Sequence, residues 1–146
     1  MNFLWDTNIL LHCVRRSVKY NELNQTHNFF ASGNQVFLSV ITIGEIESIA
    51  YQRNWSQAKW NELQLVVGAT SLLSIYEEVI HEYARIDAFS QGKRFGQPLP
   101  IGVSARNMGK NDLWLAATAH VGKFIFVTTD LDFNHLDGVF LDLLKV

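Results

Sequence analysis

Four acidic residues of this chain occupy positions from which their carboxylates could converge on a divalent cation. Asp6 and Asp130 each follow a short apolar run, and Glu45 and Asp112 lie close to the start of helical patterns. Carboxylates brought into one pocket raise each other's pKa values unless cations neutralise them. Oxygen-only ligands favour Mg²⁺ or Mn²⁺ over Zn²⁺, and Mg²⁺ keeps water molecules that suit phosphate substrates. The pattern therefore indicates metal-assisted phosphate chemistry.

The two N-terminal acids also have structural explanations as helix-capping residues. Asp6 precedes Thr7, and Asp is a favoured residue at helix starts. Thr42 and Glu45 have the spacing of a capping box, in which Glu45 would bond back to the helix backbone. The functional interpretation instead places Glu45 at the same edge of the sheet as Asp6, whereas Glu47 points elsewhere on its helix and is solvated.

The C-terminal acids have comparable alternatives. Asp112 falls in the first turn of a predicted helix, where the helix dipole favours a negative charge. Asp130 and Asp132 follow the most regular apolar run and could be turn formers. In the functional interpretation, Asp130 binds the cation and Asp132 is an outer ligand. The small residues after Asp112 would let its helix approach the sheet closely.

Short apolar runs alternate along the chain with longer amphipathic segments. The runs are predicted as buried strands: Phe3–Trp5, Val36–Val40, Leu72–Ile75, Phe124–Thr128 and a candidate fifth, Val139–Leu141. The segments between them are predicted as helices: Asn21–Ala31, Ile43–Arg53, Ser56–Val67, Glu77–Phe89 and Asp112–Val121. Strands that alternate with helices predict parallel βαβ units. We therefore expect a three-layer α/β/α fold with a short parallel sheet flanked by helices, and ligands at the carboxyl ends of the strands.

One segment, from Ser90 to Lys110, lacks this alternation. It contains four of the nine glycines and both prolines, which predicts a long loop, and such loops are often functional. From Arg85 to Lys110, five basic residues accompany a single acid, Asp87. The segment is either a solvated surface loop or a surface that contacts a phosphate backbone. In the second interpretation three side chains bind phosphates: Arg94, Arg106 and Lys110.

The composition favours one domain with a packed core. The 146 residues are 48% hydrophobic and 18% charged. The net charge of −2 argues against binding nucleic acid through bulk positive charge. It is compatible with binding through a metal ion and a local basic patch. Cys13 is the only cysteine, so a reducing compartment is expected. No apolar run is long enough to span a bilayer and no secretory signal is recognisable, which predicts a cytoplasmic location.

The acidic segments, taken in order, resemble the PIN-domain family and, within it, the VapC-type toxin ribonucleases. The matching segments are Asp6-Thr7-Asn8, Ile41–Ile46 around Glu45, Asn111–Ala117 around Asp112, and Val127–Phe133 around Asp130. No single motif is specific, but the ordered set covers nearly the whole chain. The long basic loop before Asp112 departs from the family pattern, and this departure concerns substrate preference rather than chemistry.

The resemblance implies a single PIN-like nuclease domain over residues 1–146 that hydrolyses RNA with Mg²⁺ or Mn²⁺, leaving 5′-phosphate and 3′-hydroxyl ends. The catalytic residues it implies are Asp6, Glu45, Asp112 and Asp130. The metal ligands would be Asp6, Asp112, Asp130 and Asp132. Polar support would come from Thr7, Asn8 and Thr128. Members of this family often form homodimers and are often inhibited by a cognate antitoxin, so both partners are expected here.

Three other functions fit parts of the pattern. A non-catalytic PIN-like binding module would share the fold, but such a degenerate member should lose one or more of the acids. A housekeeping RNA-processing nuclease would share the site and differ only in its biological role. A phosphatase or receiver domain needs a nucleophilic Asp and a Lys beyond a later strand. Asp6-Thr7-Asn8 lacks the second Asp of the phosphatase signature, and Lys123 precedes its strand.

Overall fold

A five-stranded parallel sheet forms the centre of the molecule, which the computed structural model describes from residue 1 to residue 146. The strands are β1 (Asn2–Trp5), β2 (Gln35–Ser39), β3 (Ser71–Leu73), β4 (Ile125–Thr128) and β5 (Asp142–Lys145). Their order across the sheet is β3-β2-β1-β4-β5, and all neighbours are parallel. β1 is therefore central, and the chain adds strands first on one side of it and then on the other.

Helices cover both faces of this sheet. They are α1 (Thr7–Val14), α2 (Val18–His27), α3 (Val40–Gln52), α4 (Gln57–Gly68), α5 (Glu77–Ser90) and α6 (Lys110–Gly122), and a 3₁₀ helix spans Leu131–Leu136. One buried apolar cluster contains side chains of α1 to α4, and a second contains those of α5 and α6. None of these helices has the length and apolar character that a membrane crossing requires.

The strands separate the two clusters because successive side chains of a strand point to opposite faces. In β1, Phe3 and Trp5 pack into the first cluster, whereas Leu4 packs into the second. In β2, Val36 and Leu38 join the first cluster. All five side chains are at most 2% exposed, as expected for strands that helices cover on both faces.

The predicted fold class is confirmed, including the parallel sheet and its two helical layers. Four predicted strands and all five predicted helices are present, with ends that differ by up to four residues. The predicted strand Val139–Leu141 is wrong, because β5 begins only at Asp142. Residues 136–141 instead form a tight turn. In this turn the Leu136 carbonyl accepts three backbone hydrogen bonds, and Gly138 takes a φ of +71°.

The sequence analysis did not identify α1, which begins directly after β1. Asp6 is the N-cap of α1 and accepts a hydrogen bond from the Thr7 backbone N–H. α1 has only eight residues, which is about two turns, so its helical periodicity is short. Because the chain turns at Asp6, α1 also sets the direction in which this carboxylate points.

The long loop predicted between α5 and α6 is confirmed. Residues 91–109 contain no helix or strand. Leu99 and Met108 nevertheless pack against the second apolar cluster. The loop is therefore held against the body of the protein at more than one point along its length.

Gly122→Ala should destabilise the fold, because a Cβ at this position would lie 2.1 Å from the ring of Phe124. That ring packs against Phe37 with 4.7 Å between the centroids, which limits its movement. We expect the free energy of unfolding, measured by urea denaturation, to fall by about 1–3 kcal/mol. Gly44→Ala in α3 is the control, since no atom lies within 4 Å of the added Cβ, and it should stabilise by about 0.5–1 kcal/mol. Equal stability of the two variants would contradict this packing.

Candidate metal centre

Five carboxylates meet at the carboxyl edge of the sheet. Asp6 follows β1 directly, and Asp130 lies two residues beyond the neighbouring strand β4. Asp112 lies in the first turn of α6, and Asp132 lies in the 3₁₀ helix. Glu45 lies in the second turn of α3, which follows β2. β1 and β4 flank the point where the strand order reverses, which is where ligands bind in sheets of this kind.

Three of these acids are close enough to hold one cation. A carboxylate oxygen from each of Asp112, Asp130 and Asp132 lies within 4.8 Å of the others. Opposite ligands of octahedral Mg²⁺ are about 4 Å apart, because each Mg–O bond measures about 2.0–2.1 Å. Small side-chain movements would therefore turn these oxygens into ligands. Asp132 is exposed and the other two are half-buried, so the group is open to solvent on one side.

Asp6 is buried and is held by hydrogen bonds to both of its carboxylate oxygens. The Thr7 backbone N–H donates to Oδ1 at 2.6 Å, and the Thr128 hydroxyl donates to Oδ2 at 2.7 Å. The Thr128 oxygen also accepts a hydrogen bond from the Asp130 backbone N–H at 3.0 Å. One hydroxyl therefore fixes Asp6 relative to Asp130. Each Asp6 oxygen accepts only one hydrogen bond, which leaves a lone pair on each for a cation.

Glu45 is held by the side chain of Thr7. The Thr7 hydroxyl donates to Glu45 Oε1 at 2.8 Å, so Thr7 donates to Glu45 through its side chain and to Asp6 through its backbone. Asn8 is exposed and makes no side-chain hydrogen bond, so the structure gives no contact through which it would support the acids. Glu47 is exposed on the same helix as Glu45, as predicted.

The capping-box explanation of Glu45 is wrong. α3 begins at Val40, and its N-cap is Ser39, whose hydroxyl oxygen accepts a hydrogen bond from the Ile41 backbone N–H at 3.1 Å. Thr42 is therefore inside the helix, fully buried, with its hydroxyl 3.5 Å from that of Thr7. Because Ser39 caps the helix, the Glu45 carboxylate is available to the acidic cluster.

Burial and crowding raise the pKa of Asp6 from 3.8 to about 6. The main cause is burial, which disfavours the charged form. The hydrogen bonds from Thr128 and Thr7 oppose this rise, because they stabilise the carboxylate. The negative charges of Glu45 and Asp130 add to it. The fold therefore holds Asp6 in a position where a nearby positive charge would relieve a free-energy penalty.

The same causes raise the pKa of Asp112, also from 3.8 to about 6. Burial contributes most, and the charge of Asp6 contributes next. The charges of Asp130, Glu45 and Asp132 follow. Asp112 thus interacts with all four other acids, which means that the structure brings the acids predicted from sequence into one electrostatic unit.

The protein supplies no direct counter-charge to this unit. None of the five ion pairs in the structure includes any of its acids. Arg106 donates to the backbone carbonyl of Asp132 at 3.3 Å rather than to a carboxylate. All potential ligands are oxygens, and nitrogen or sulfur ligands are absent from the cluster. This donor set fits Mg²⁺ or Mn²⁺.

The predicted phosphate-binding residues lie in different places. Arg106 lies beside the acids through its contact with Asp132. Lys110 is exposed at the first position of α6. The Arg94 guanidinium lies 5.8 Å from the ring centre of Phe140, which precedes the amino end of β5. The structure therefore shows no contact between Arg94 and the acids, and its phosphate-binding role stays a prediction.

Sequence reasoning did not identify three polar residues near the acids. Asn111 lines a groove with Glu45, and its position beside Asp112 was the available signal. The Ser90 hydroxyl lies 2.7 Å from His135 Nε2, and both residues are buried. Ser90 and His135 are 45 residues apart in sequence, so no local pattern could have linked them.

Comparison with known proteins gives one family match. The PIN domain family matches residues 3–139 of the chain. No curated protein sequence matches it. The family match includes all five acids of the cluster, from Asp6 to Asp132.

Several solved structures are similar over almost their full length. One chain of VapBC2 from Rickettsia felis, bound to a DNA fragment from its promoter, is 17% identical with a TM-score of 0.76, covering 99% of this chain and 98% of that one. VapBC-1 from nontypeable Haemophilus influenzae is 19% identical with a TM-score of 0.72, at 99% and 98% coverage. VapBC-5 from Mycobacterium tuberculosis, a member of the VapBC family of toxin–antitoxin systems, is 20% identical with a TM-score of 0.63, again at 99% and 98%. At these identities the similarity establishes the fold.

Asp6→Asn should stabilise the metal-free protein, and more so at neutral than at acidic pH. The pKa of Asp6 is higher in the folded state than in the unfolded state, so its ionisation lowers stability as pH rises from about 4 to about 6, and the loss persists above. In EDTA, the gain in unfolding free energy should be about 2 kcal/mol larger at pH 7.5 than at pH 4.5. The exposed Glu47→Gln is the control and should change stability by less than about 0.5 kcal/mol at either pH. A gain for Asp6→Asn that does not vary with pH would contradict the raised pKa.

Proposed function

The chain belongs to the PIN domain family, and on this basis we propose that it is a Mg²⁺- or Mn²⁺-dependent endoribonuclease. The observation that carries the proposal is the meeting of five carboxylates at one sheet edge without a basic partner. A non-catalytic binding module has no use for charges that destabilise its own fold. A divalent cation would neutralise these carboxylates and could act on a bound phosphate.

Four of the acids are the proposed metal ligands: Asp6, Asp112, Asp130 and Asp132. When bound, the cation supplies a water of lowered pKa and stabilises negative charge on the phosphate and the leaving oxygen. Asp112, Asp130 and Asp132 already approach one another closely enough for this role. Asp6 joins them through its charge interaction with Asp112 and its hydrogen-bonded link to Asp130.

The protein's own hydrogen bonds orient the catalytic carboxylates before substrate binds. Thr128 and Thr7 hold Asp6, and Thr7 also holds one oxygen of Glu45. The other Glu45 oxygen, Oε2, makes no hydrogen bond in the structure, so we propose that it orients the attacking water and accepts its proton. Groups that are fixed in advance lower the barrier, because they do not have to reorganise during the reaction.

The cations beside the acids suit the negative substrate. Lys110 is exposed at the start of α6, two residues before Asp112. Arg106 is fixed beside Asp132, and the N–H groups at the end of its guanidinium can bind a phosphate. We propose that these two side chains bind the phosphates that flank the scissile bond, and that Arg94 contacts the strand further away.

We further propose that the protein is the toxin of a type II toxin–antitoxin pair. The similarity to chains of VapBC complexes over nearly their whole length supports this role. It also supports a cognate antitoxin as a partner. With this role we propose a single nuclease domain over residues 1–146, a homodimer and a cytoplasmic location. A housekeeping RNA-processing nuclease is the alternative, because it would use the same site.

Asp112→Asn should reduce RNA cleavage by at least about 100-fold, since it removes a proposed ligand while keeping the side-chain shape. The measurement is cleavage of a fluorescently quenched RNA in Mg²⁺, with single-turnover rates. EDTA should abolish the wild-type rate, and added Mg²⁺ or Mn²⁺ should restore it. The proposed products carry 5′-phosphate and 3′-hydroxyl ends, which phosphatase treatment and end-labelling can identify.

Two glutamates of α3 provide a matched pair of variants. Glu45→Gln should lose activity, and Glu47→Gln, which lies two residues away on the exposed face, should keep the wild-type rate. Circular dichroism would confirm that all variants fold. Wild-type cleavage by Asp112→Asn at the same metal concentration would refute the assignment of the metal site.

Induced expression of the wild-type chain in bacteria should arrest growth if the toxin role is right. Asp6→Asn should relieve the arrest, because it removes one carboxylate from the proposed metal site. Growth curves at matched protein levels, checked by immunoblot, provide the measurement. Normal growth with the wild-type chain, together with RNA cleavage in vitro, would favour the housekeeping role.

A further inference from the structure

The segment that joins α5 to α6 has a charge opposite to that of the rest of the chain. Residues 88–111 contain four basic residues and no acid, whereas the rest of the chain contains eight basic and fourteen acidic residues. We refer to residues 91–109, which contain three of these four basic residues, as the basic loop. Its charge makes it the part of the surface that is best suited to a polyanion.

Both ends of the basic loop are fixed to the body of the protein. At its start, the Lys93 backbone N–H donates to the Ala88 carbonyl at 2.9 Å. At its end, the Arg106 backbone N–H donates to the Ser90 carbonyl at 2.8 Å, and the Arg106 side chain donates to the carbonyl of Asp132. The loop therefore begins and ends close to the acidic cluster, and its conformation is not that of a free linker.

The apolar residues of the basic loop have two different environments. Leu99 packs against the second apolar cluster. Phe95 and Ile101 are completely exposed, at 104% and 106% of their reference areas. No other large apolar residue of the chain exceeds 75%. Phe95 therefore presents an entire aromatic ring to solvent, directly after Lys93 and Arg94.

We propose that Phe95 is a stacking platform for an unpaired base of single-stranded RNA, with the neighbouring cations binding its backbone. The proposal rests on the ribonuclease function proposed above. Proteins that bind single strands combine a positive surface with exposed aromatic rings, because every base offers a face for stacking. In duplex RNA the bases are already stacked on one another, so the ring has no comparable partner there.

The position of Phe95 agrees with a role in substrate binding. It is three residues from Gly92, so their Cα atoms are at most about 11 Å apart. A Cβ placed on Gly92 would lie 3.6 Å from the Ala105 side chain, which is next to Arg106. Gly92 thus lies beside the Arg106 end of the loop, and Phe95 follows Gly92 by three residues on the same loop.

A protein partner fits the basic loop less well. Stable protein interfaces bury about 800 Å² on each partner around an apolar centre. Phe95 is bordered by Arg94, Gly96 and Gln97, and only Ile101 on the same loop is a comparably exposed apolar residue. An exposed ring that directly follows two basic residues favours an anionic ligand with an aromatic face, such as a nucleotide.

Binding of fluorescein-labelled oligouridine, measured by anisotropy, tests the proposal. Each variant is made in the full-length Asp112→Asn protein, and EDTA is added to prevent cleavage. Phe95→Ala should weaken binding at least about fivefold, because a stacked base loses its partner. Phe95→Leu should weaken binding similarly, whereas Phe95→Tyr should restore it to within about twofold, because the phenol ring also stacks. A labelled duplex of the same length should bind Phe95→Ala and the parent protein equally.

Ile101→Ala is the matched control, since this residue is equally exposed on the same loop but cannot stack. It should bind oligouridine as the parent protein does. Unchanged oligouridine affinity in Phe95→Ala would overturn the proposal, and so would equal losses for single strand and duplex. A monomer formed by Phe95→Ala from a dimeric parent, with RNA affinity unchanged, would assign the ring to a protein interface instead.

The cleavage assay with wild-type protein separates this inference from the proposed function. Metal-dependent RNA cleavage together with no effect of Phe95→Ala would leave the nuclease function intact and refute only the stacking role. Phe95→Ala in the active protein should raise KM for single-stranded RNA with little change in kcat, because the ring is remote from the reacting atoms. A protein that neither cuts nor binds RNA would refute both.

Discussion

The main constraint on this structure is a concentration of negative charge that the protein itself does not neutralise. Asp6 and Asp112 are buried enough for desolvation to raise the pKa of each to about 6, and the surrounding carboxylates add to the effect. A fold tolerates such an arrangement only if the rest of its core supplies the stability. Here the two apolar clusters on either side of the sheet provide it.

The sheet topology explains why the acids converge. β1 and β4 are neighbours, and the strand order changes direction between them, so the helices that follow diverge and leave a crevice. Asp6 and Asp130 stand on the two sides of that crevice. The Thr128 hydroxyl joins them by donating to Asp6 and accepting from the Asp130 backbone. Thr7 extends the same arrangement to Glu45, so two threonines set the geometry of three acids.

The distribution of charge matters more for this protein than its total. A net charge of −2 argues against a nucleic-acid ligand when the chain is considered as a whole. Arg106 of the basic loop nevertheless lies beside the acidic cluster, because it contacts the backbone of Asp132. Electrostatic attraction is screened within about 10 Å at moderate salt, so a local basic surface beside the site can act on a substrate that the molecule as a whole would repel.

The sequence by itself determined the fold class, because alternating apolar and amphipathic segments are local features. It also named the acids that the structure brings together, because acidic residues at the ends of these segments are local features too. It offered Asp6 as a possible helix start but did not predict α1, because α1 has only eight residues and gives little helical periodicity. It also placed the last strand too early, because the tight turn around Gly138 depends on hydrogen bonds to Leu136 that no pattern encodes.

Only the tertiary structure decided which polar groups act together. The sequence left open whether Glu45 takes part in capping α3. In the structure Ser39 is the N-cap, because α3 begins at Val40. Arg94 and Arg106 were both predicted to bind phosphates from their place in the same loop. In the structure Arg94 packs against Phe140, whereas Arg106 lies beside Asp132. Arg106 and Asp132 are 26 residues apart in the chain, and Thr7, which holds Glu45, is 38 residues from it. Local spacing therefore identified the residue types but not these partners.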